Sequence, residues 1–377
     1  MFIVIVARGV PSPRTPLWGI FELDQARALR AAGHRVAIAA LDVRSLRRLR
    51  PFGVRHQMVG GIDVHTVSIP LGQVPNALDQ AVLDRAFDVA YDRIVQRHGK
   101  PDVVHAHFTK YALAASRSSR RRQFKLVVTE HNSKFTPESI PLVLRLKAAE
   151  AYRAADAVLA VSPALADVLT DNFHRAVRVV PNIVDVDTFA SLPAEPHDGI
   201  RLVSAGNLLP RKRMTLLVEA FASAFRHRDD VTLTLLGEGP DRDAIEDRIV
   251  AAGLQERVLL PGQRSRAQMA DEFARSDGFC MLSEWETFGV VYIEAMASGL
   301  PVLAAQGSGG PEGFVHEGVG MFADSSSVSA TAASLERFVE HFRDWRRDEI
   351  RDEMVSRFAP ERIAEQLGDV YADVTAD

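Results

Sequence analysis

Short runs of consecutive apolar residues, alternating with segments of helical period, constrain this chain more than any other feature. In the first half they are FIVIVA (2–7), RVAIAAL (35–41), VVHAHF (103–108), KLVVTEH (125–131) and AVLAVS (157–162). The second half offers IRLVSAG (200–206), VTLTLLG (231–237), VLLPG (258–262), GFCML (278–282) and PVLAA (301–305). Such runs suit strands of a parallel sheet, buried on both faces. Between them lie helix patterns such as FELDQARALRAAG, closed by Gly33, and MTLLVEAFASAFRHR. Two successive β-α arrays predict the α/β class with two doubly wound, Rossmann-like domains. A length of 377 residues also favours two cores over one. The boundary is expected in the Pro-, Asp- and Asn-rich stretch 179–199. Domains of this kind bind ligands outside the carboxyl ends of their strands, so the ligand is expected in a cleft between them.

Composition removes several functional classes. Cys280 is the lone cysteine and lies in an apolar run, which excludes an internal disulfide and predicts a buried thiol in a reduced compartment. No Cys/His cluster has the spacing of a zinc site, and no metal is expected. The first residues read as a buried strand rather than a signal peptide, and no apolar run is long enough to span a membrane. A cytoplasmic location is therefore expected, with peripheral attachment to the inner face of the cell membrane as an option. Residues 1–190 carry 26 Lys and Arg against 17 Asp and Glu, and the remainder 19 against 32. Two basic stretches, 44–50 and 117–125, read either as solvated faces or as a surface for an anionic membrane or acceptor. They lack interleaved aromatics, so nucleic acid is not expected as a partner.

The phrase SEWETFGVVYIEAMASGLPVLAA (283–305) holds Glu286 and Glu294 eight residues apart. It places Glu286 in the loop after a strand and Glu294 about two turns into a helix that begins near Phe288 and stops at Gly299. A carboxylate matches a vicinal diol, and the backbone N–H groups around Thr287, Phe288, Gly289 and Val290 suit a phosphate. The spacing also fits a simpler reading, with Ser283 and Glu286 as a capping box and Glu294 facing solvent.

The whole phrase, E-x-F-G-x-x-x-x-E-A-M-A-S-G-x-P-V, resembles the donor-site signature of retaining glycosyltransferases of family 4, which have the GT-B fold. Other blocks over about residues 2–320 are similar to that family. WGIFELDQARALRAAGHRVAI resembles its first β-α-β unit, with Gly19 where the backbone approaches the donor diphosphate. PDVVHAHF and VVTEHNS resemble its middle strands, with His131 where the family places a histidine near the donor sugar. SAGNLLPRKRM resembles its diphosphate loop, and SGGPEGFVHEGVG its glycine-rich turn at Gly307, Gly309 and Gly310. The resemblance implies that Glu286 orients the sugar, Glu294 holds the ribose, and Lys212 with Arg211 and Arg213 balances the diphosphate. His131, Lys212 and Glu286 are the implied catalytic residues. This chain departs from the family at Asn207, often arginine, and at Arg213, usually glycine. His105 and His107 read as structural.

The implied reaction is transfer from a UDP- or GDP-linked sugar to an acceptor hydroxyl, with retention at the anomeric carbon and no cofactor. The implied setting is bacterial cell-envelope polysaccharide or glycolipid synthesis, with a sugar or lipid-linked acceptor. Residues 1–183 would form the acceptor-side domain, joined by the tail 360–377 through a returning last helix. Residues 184–359 would bind the nucleotide sugar. An epimerase or phosphorylase of similar architecture remains open, as does a non-catalytic binder of sugar nucleotides, at which the departure at Asn207 hints.

Overall fold

A computed structural model describes residues 1–12, 15, 18–43, 52–70, 76–190, 192 and 197–376, without the side chains of 76–78. The described chain forms two compact units, Met1–Ile183 with Pro360–Asp377, and Val184–Ala359. The basic stretch 44–50 lies outside the described residues.

The first unit runs β1 (Phe2–Ala7), α1 (Ile20–Ala31), β2 (Arg35–Val43), β3 (Gly53–Val59), β4 (Ile62–Ile69), α2 (Asn76–His98), β5 (Val103–His107), α3 (Thr109–Arg122), β6 (Lys125–Glu130), α4 (Leu142–Ala154), β7 (Ala157–Ala160), α5 (Pro163–Phe173) and β8 (Arg178–Val179). Its sheet has the order β3-β4-β2-β1-β5-β6-β7-β8, parallel throughout except for the antiparallel β3–β4 pair. β1 and β5 are buried along their whole length, as their unbroken apolar character requires.

The second unit runs α6 (Val186–Ala190), β9 (Ile200–Ala205), α7 (Met214–Ala224), β10 (Val231–Leu236), α8 (Arg242–Ala251), β11 (Val258–Gly262), α9 (Arg266–Ala274), β12 (Gly278–Met281), α10 (Val290–Ala297), β13 (Val302–Ala305), β14 (Gly320–Ala323), α11 (Val328–His341) and α12 (Arg347–Phe358). Its strands are all parallel, in the order β11-β10-β9-β12-β13-β14. The last helix, α13 (Pro360–Ala376), packs on α1 of the first unit.

Each sheet reverses its winding once. In the first unit β1 lies between β2 and β5, and in the second β9 lies between β10 and β12. The loops that leave the carboxyl ends of such strand pairs diverge to opposite faces and leave a crevice between them. The four loops after β1, β5, β9 and β12 are therefore where a site is expected.

The hairpin β3–β4 has no counterpart among the strands expected from the sequence. Its residues alternate rather than run apolar, and Gly60-Gly61, both at positive φ, form its two-residue turn. The helix after β12 begins at Val290 rather than Phe288, because Gly289, at φ 91°, caps it. Glu294 consequently lies about one turn inside α10, not two.

Candidate active site

In the second unit the chain leaves β9 through Gly206 and Asn207 and enters a 3-10 turn, Pro210–Lys212. Lys212 is buried there, and its Nζ donates a hydrogen bond to Oε1 of Glu286, in the loop after β12. Arg211 Nη1 lies 3.9 Å from Glu286 Oε2 and donates to the Trp285 carbonyl at 3.1 Å. Arg213 stands in the left-handed region (φ 51°), where glycine fits without strain. Its side chain is tied to Glu284 Oε1 at 3.1 Å and to Ser325 Oγ at 3.3 Å. Three consecutive cations thus meet two carboxylates across the β9/β12 reversal.

A third loop closes on the backbone of the same residue. Glu286 N–H donates to the Ser308 carbonyl, and Gly310 N–H to the Glu286 carbonyl, both at 2.8 Å. A Cβ on Gly310 would sit 2.5 Å from the Phe288 carbonyl oxygen, so only glycine allows this approach. Around Glu286 three buried polar atoms have no hydrogen-bond partner among the described residues: Ser283 Oγ, Trp285 Nε1 and Ser308 Oγ. Orphaned polar atoms are costly in a packed interior, and a hydroxyl-rich ligand satisfies such groups.

Glu294 is buried on α10, with Arg266 Nε 3.8 Å from its Oε1, so it does not face solvent. Ser283 does not cap α10; Gly289 does. The Phe288 ring turns into the core against Phe314 and Phe358, which leaves only its backbone for a ligand. Thr287, Gly289 and Val290 are half-buried at the opening of the helix, where the first N–H groups have no intrahelical acceptor. Asn207 is exposed beside the lysine turn.

The first unit builds its own cluster at the β1/β5 reversal. Gly19, at φ 73°, caps α1 and lies against Gly9 so closely that a Cβ would meet the Gly9 carbonyl oxygen at 2.1 Å. The Arg8 guanidinium stacks on Trp18 and Phe108, at 5.0 and 4.9 Å from the ring centroids. Its Nε lies 3.6 Å from Oε1 of the buried Glu22, whose pKa is raised chiefly by burial. Phe108 caps α3 at φ 63°, a strained setting for a bulky residue.

His131 follows β6 and shares a hydrogen bond with His107, Nε2 to Nδ1 at 2.8 Å. Burial, with the neighbouring cations, lowers His107 to about 3 and pushes His131 well below its ordinary value. Both imidazoles are therefore neutral near pH 7. Glu130 fixes the loop by accepting the N–H groups of His131 and Asn132 at 2.8 Å and the Tyr152 hydroxyl at 2.7 Å. His105 hydrogen-bonds Tyr371 of α13 at 2.6 Å and Thr129 at 2.7 Å. Arg8, Glu22, Phe108 and Glu130 were not singled out from the sequence; the only signal was position, with Arg8, Phe108 and Glu130 at strand ends and Glu22 in the first turn of α1.

The second basic stretch is largely neutralised within the fold. Arg117 pairs with Asp84 and Glu150, Arg121 with Asp88, Arg122 with Asp88 and Asp92, and Lys125 with Asp156. Asp84, Asp88 and Asp92 recur every fourth residue along α2, a helical stripe facing α3. Among the described residues no helix is long and apolar enough to cross a membrane.

Comparison with known proteins follows the same division. Residues 22–188 match the family described as "Glycosyltransferase Family 4", and residues 187–354 match "Glycosyl transferases group 1". The chain is 25% identical over 283 residues to an uncharacterized glycosyltransferase, YqgM, of Bacillus subtilis (strain 168), covering 73% of this chain and 78% of that one. It is 27% identical over 263 residues to a GDP-mannose-dependent alpha-(1-6)-phosphatidylinositol monomannoside mannosyltransferase of Mycobacterium tuberculosis, covering 65% and 68%. Among solved structures it resembles a sucrose-phosphate synthase from Thermosynechococcus elongatus, with a TM-score of 0.81 at 21% identity over 100% of this chain and 99% of that one.

Proposed function

We propose, for a chain that belongs to glycosyltransferase family 4 and has the GT-B fold, that it transfers a sugar with retention from a nucleoside diphosphate to an acceptor hydroxyl. The observation that carries this reading is the Lys212–Glu286 pair at the β9/β12 reversal, with Ser283 Oγ, Trp285 Nε1 and Ser308 Oγ in the loops beside it unpartnered among the described residues. Breaking the anomeric C–O bond builds positive charge on the sugar and negative charge on the departing diphosphate. Lys212, Arg211 and the N–H groups opening α10 stabilise that anion. Glu286 accepts hydrogen bonds from sugar hydroxyls, and Glu294 from those of the ribose. The acceptor oxygen bonds to the anomeric carbon on the face the diphosphate leaves, and its proton passes to a phosphate oxygen. His131, being neutral, acts as a hydrogen-bond partner of the sugar rather than as a cationic acid.

The donor is UDP- or GDP-linked, and the mycobacterial relative's dependence on GDP-mannose supports testing GDP first. No cofactor is used, and activity is expected to be the same with or without added magnesium or manganese. That relative's phosphatidylinositol-based acceptor supports a glycolipid acceptor here, held at a membrane surface. Leu142, Val143 and Leu146, exposed at the start of α4 beside the exposed Arg145, give the first unit an apolar face suited to that setting. Equal binding to anionic vesicles by wild type and Leu146→Asp would remove the membrane part of the reading.

Incubation with UDP-, GDP- and ADP-sugars plus candidate acceptors tests the reaction. Free nucleoside diphosphate together with a product whose anomeric configuration matches the donor supports retaining transfer. An altered sugar still attached to its nucleotide would point to epimerisation instead.

A further inference from the structure

The hairpin on the edge of the first unit's sheet carries a second cluster, which shares no residue with the candidate active site. β3 and β4 pair antiparallel with His56 directly opposite His65. Opposed residues share a face of the sheet, and so do residues two apart on one strand. Asp63 therefore joins the two histidines on that face. Its Oδ1 lies 2.5 Å from His56 Nε2 and 3.3 Å from His65 Nε2, and the three atoms fall within 4.8 Å of one another.

The other carboxylate oxygen is held from the end of α2. His98 Nε2 lies 2.9 Å from Asp63 Oδ2, and Arg97 Nε 3.3 Å from the same atom. Oδ1 is thereby turned toward the two hairpin imidazoles. His65 is 3% exposed, yet among the described residues neither of its ring nitrogens makes a hydrogen bond, its 3.3 Å approach to Asp63 included. A buried imidazole without a hydrogen bond beside an oriented carboxylate calls for an explanation, and a bound ion supplies one.

We propose that His56, Asp63 and His65 form a binding site for a first-row divalent transition cation, zinc foremost. Two imidazoles and a carboxylate are a donor set that suits this class over calcium or magnesium. Tetrahedral zinc with bonds of 2.0–2.2 Å sets neighbouring ligand atoms about 3.4 Å apart. The His65–Asp63 separation already meets that spacing. His56 must withdraw by about 0.9 Å, which its exposed place on an edge strand permits. Water takes the fourth position. His98 and Arg97 orient the ligating carboxylate from behind, as outer partners of metal ligands do. The bound ion fastens the edge strand β3 to β4 and, through Asp63, to the end of α2.

The test uses the untagged full chain, stripped with a chelator and desalted, then titrated with zinc chloride by calorimetry and with cobalt chloride by visible spectroscopy. One zinc per chain with micromolar or tighter affinity is expected, together with the intense visible bands of four-coordinate cobalt. His56→Ala is expected to weaken zinc binding at least about tenfold and to abolish the cobalt bands. His98→Gln, which spares all three ligands, should weaken binding by a smaller factor. His316→Ala, an exposed histidine of the other unit, should change nothing. Millimolar or absent zinc binding overturns the proposal, and so does binding that neither His56→Ala nor His98→Gln weakens.

Discussion

Lys212 and Glu286, 74 residues apart in sequence, are joined by a buried hydrogen-bonded ion pair across the point where the second sheet reverses its winding. Each is about one-tenth exposed, so neither charge is well served by water. Among the described residues, Lys212→Met leaves the Glu286 carboxylate with Arg211, 3.9 Å away, as its ion-pair partner. Losing one partner of a buried pair costs about 3–5 kcal/mol, and the remaining arginine reduces that to about 2 kcal/mol here. Urea unfolding reads this loss. Under the proposed mechanism, in which Lys212 balances the leaving diphosphate, transfer should fall by roughly 100-fold or more.

Arg213 and Arg211 flank the same lysine but are expected to behave differently. Arg213→Gly removes the ties to Glu284 and Ser325 and also relieves a left-handed backbone, worth roughly 1 kcal/mol in the opposite direction. Stability should therefore change by less than about 1 kcal/mol. Donor KM should rise further in Arg211→Ala than in Arg213→Gly. The reverse order would make Arg213 the principal diphosphate ligand.

Gly19→Ala tests the first unit's loop. The added methyl would meet the Gly9 carbonyl, at a φ that alanine disfavours, so the β1–α1 turn must move. A loss of more than about 1 kcal/mol is expected from thermal unfolding. The accompanying activity loss should exceed what the fall in folded protein explains.

The neutral histidines predict acid sensitivity with a definite sign. His107 titrates near 3 in the folded chain, and an unfolded histidine near 6.5. Between those values the unfolded state holds the extra proton, so stability falls as pH falls through that window. The limit is about 1.4 kcal/mol per pH unit for each such histidine, and His105 and His131 act in the same direction. Glu22, with its raised pKa, acts in the opposite direction. Denaturation of wild type and His107→Gln at pH 7.0 and 5.5 isolates the His107 share. The variant should lose less stability on acidification; equal losses would mean that His107 is charged in the fold.

The central strands of both sheets were legible because burial on two faces leaves an unbroken apolar run, as in FIVIVA and GFCM, whereas the edge strands β8 and β14 were not among the expected runs. β3 and β4 escaped because an edge hairpin alternates, and its Gly60-Gly61 turn was the available signal. His56 and His65 gave no signal for the same reason, since their meeting depends on cross-strand register rather than on spacing along the chain. Glu286 and Lys212 were identifiable from their phrases, but their direct pairing was not, since it joins loops after two different strands. Arg8 and Glu22 gave no motif. Their importance lies in burial and orphaned polar atoms, which only packing reveals.

The central claim is that the chain holds a sugar nucleotide with Glu294 on its ribose. Thermal unfolding with UDP, GDP and ADP, repeated on Glu294→Ala, tests it most directly. A nucleotide at 100 times its dissociation constant adds about 2.7 kcal/mol, enough to raise the midpoint by a few degrees. The account predicts such a shift with UDP or GDP, diminished in the variant. No shift with any nucleotide, or a shift untouched by Glu294→Ala, would contradict it.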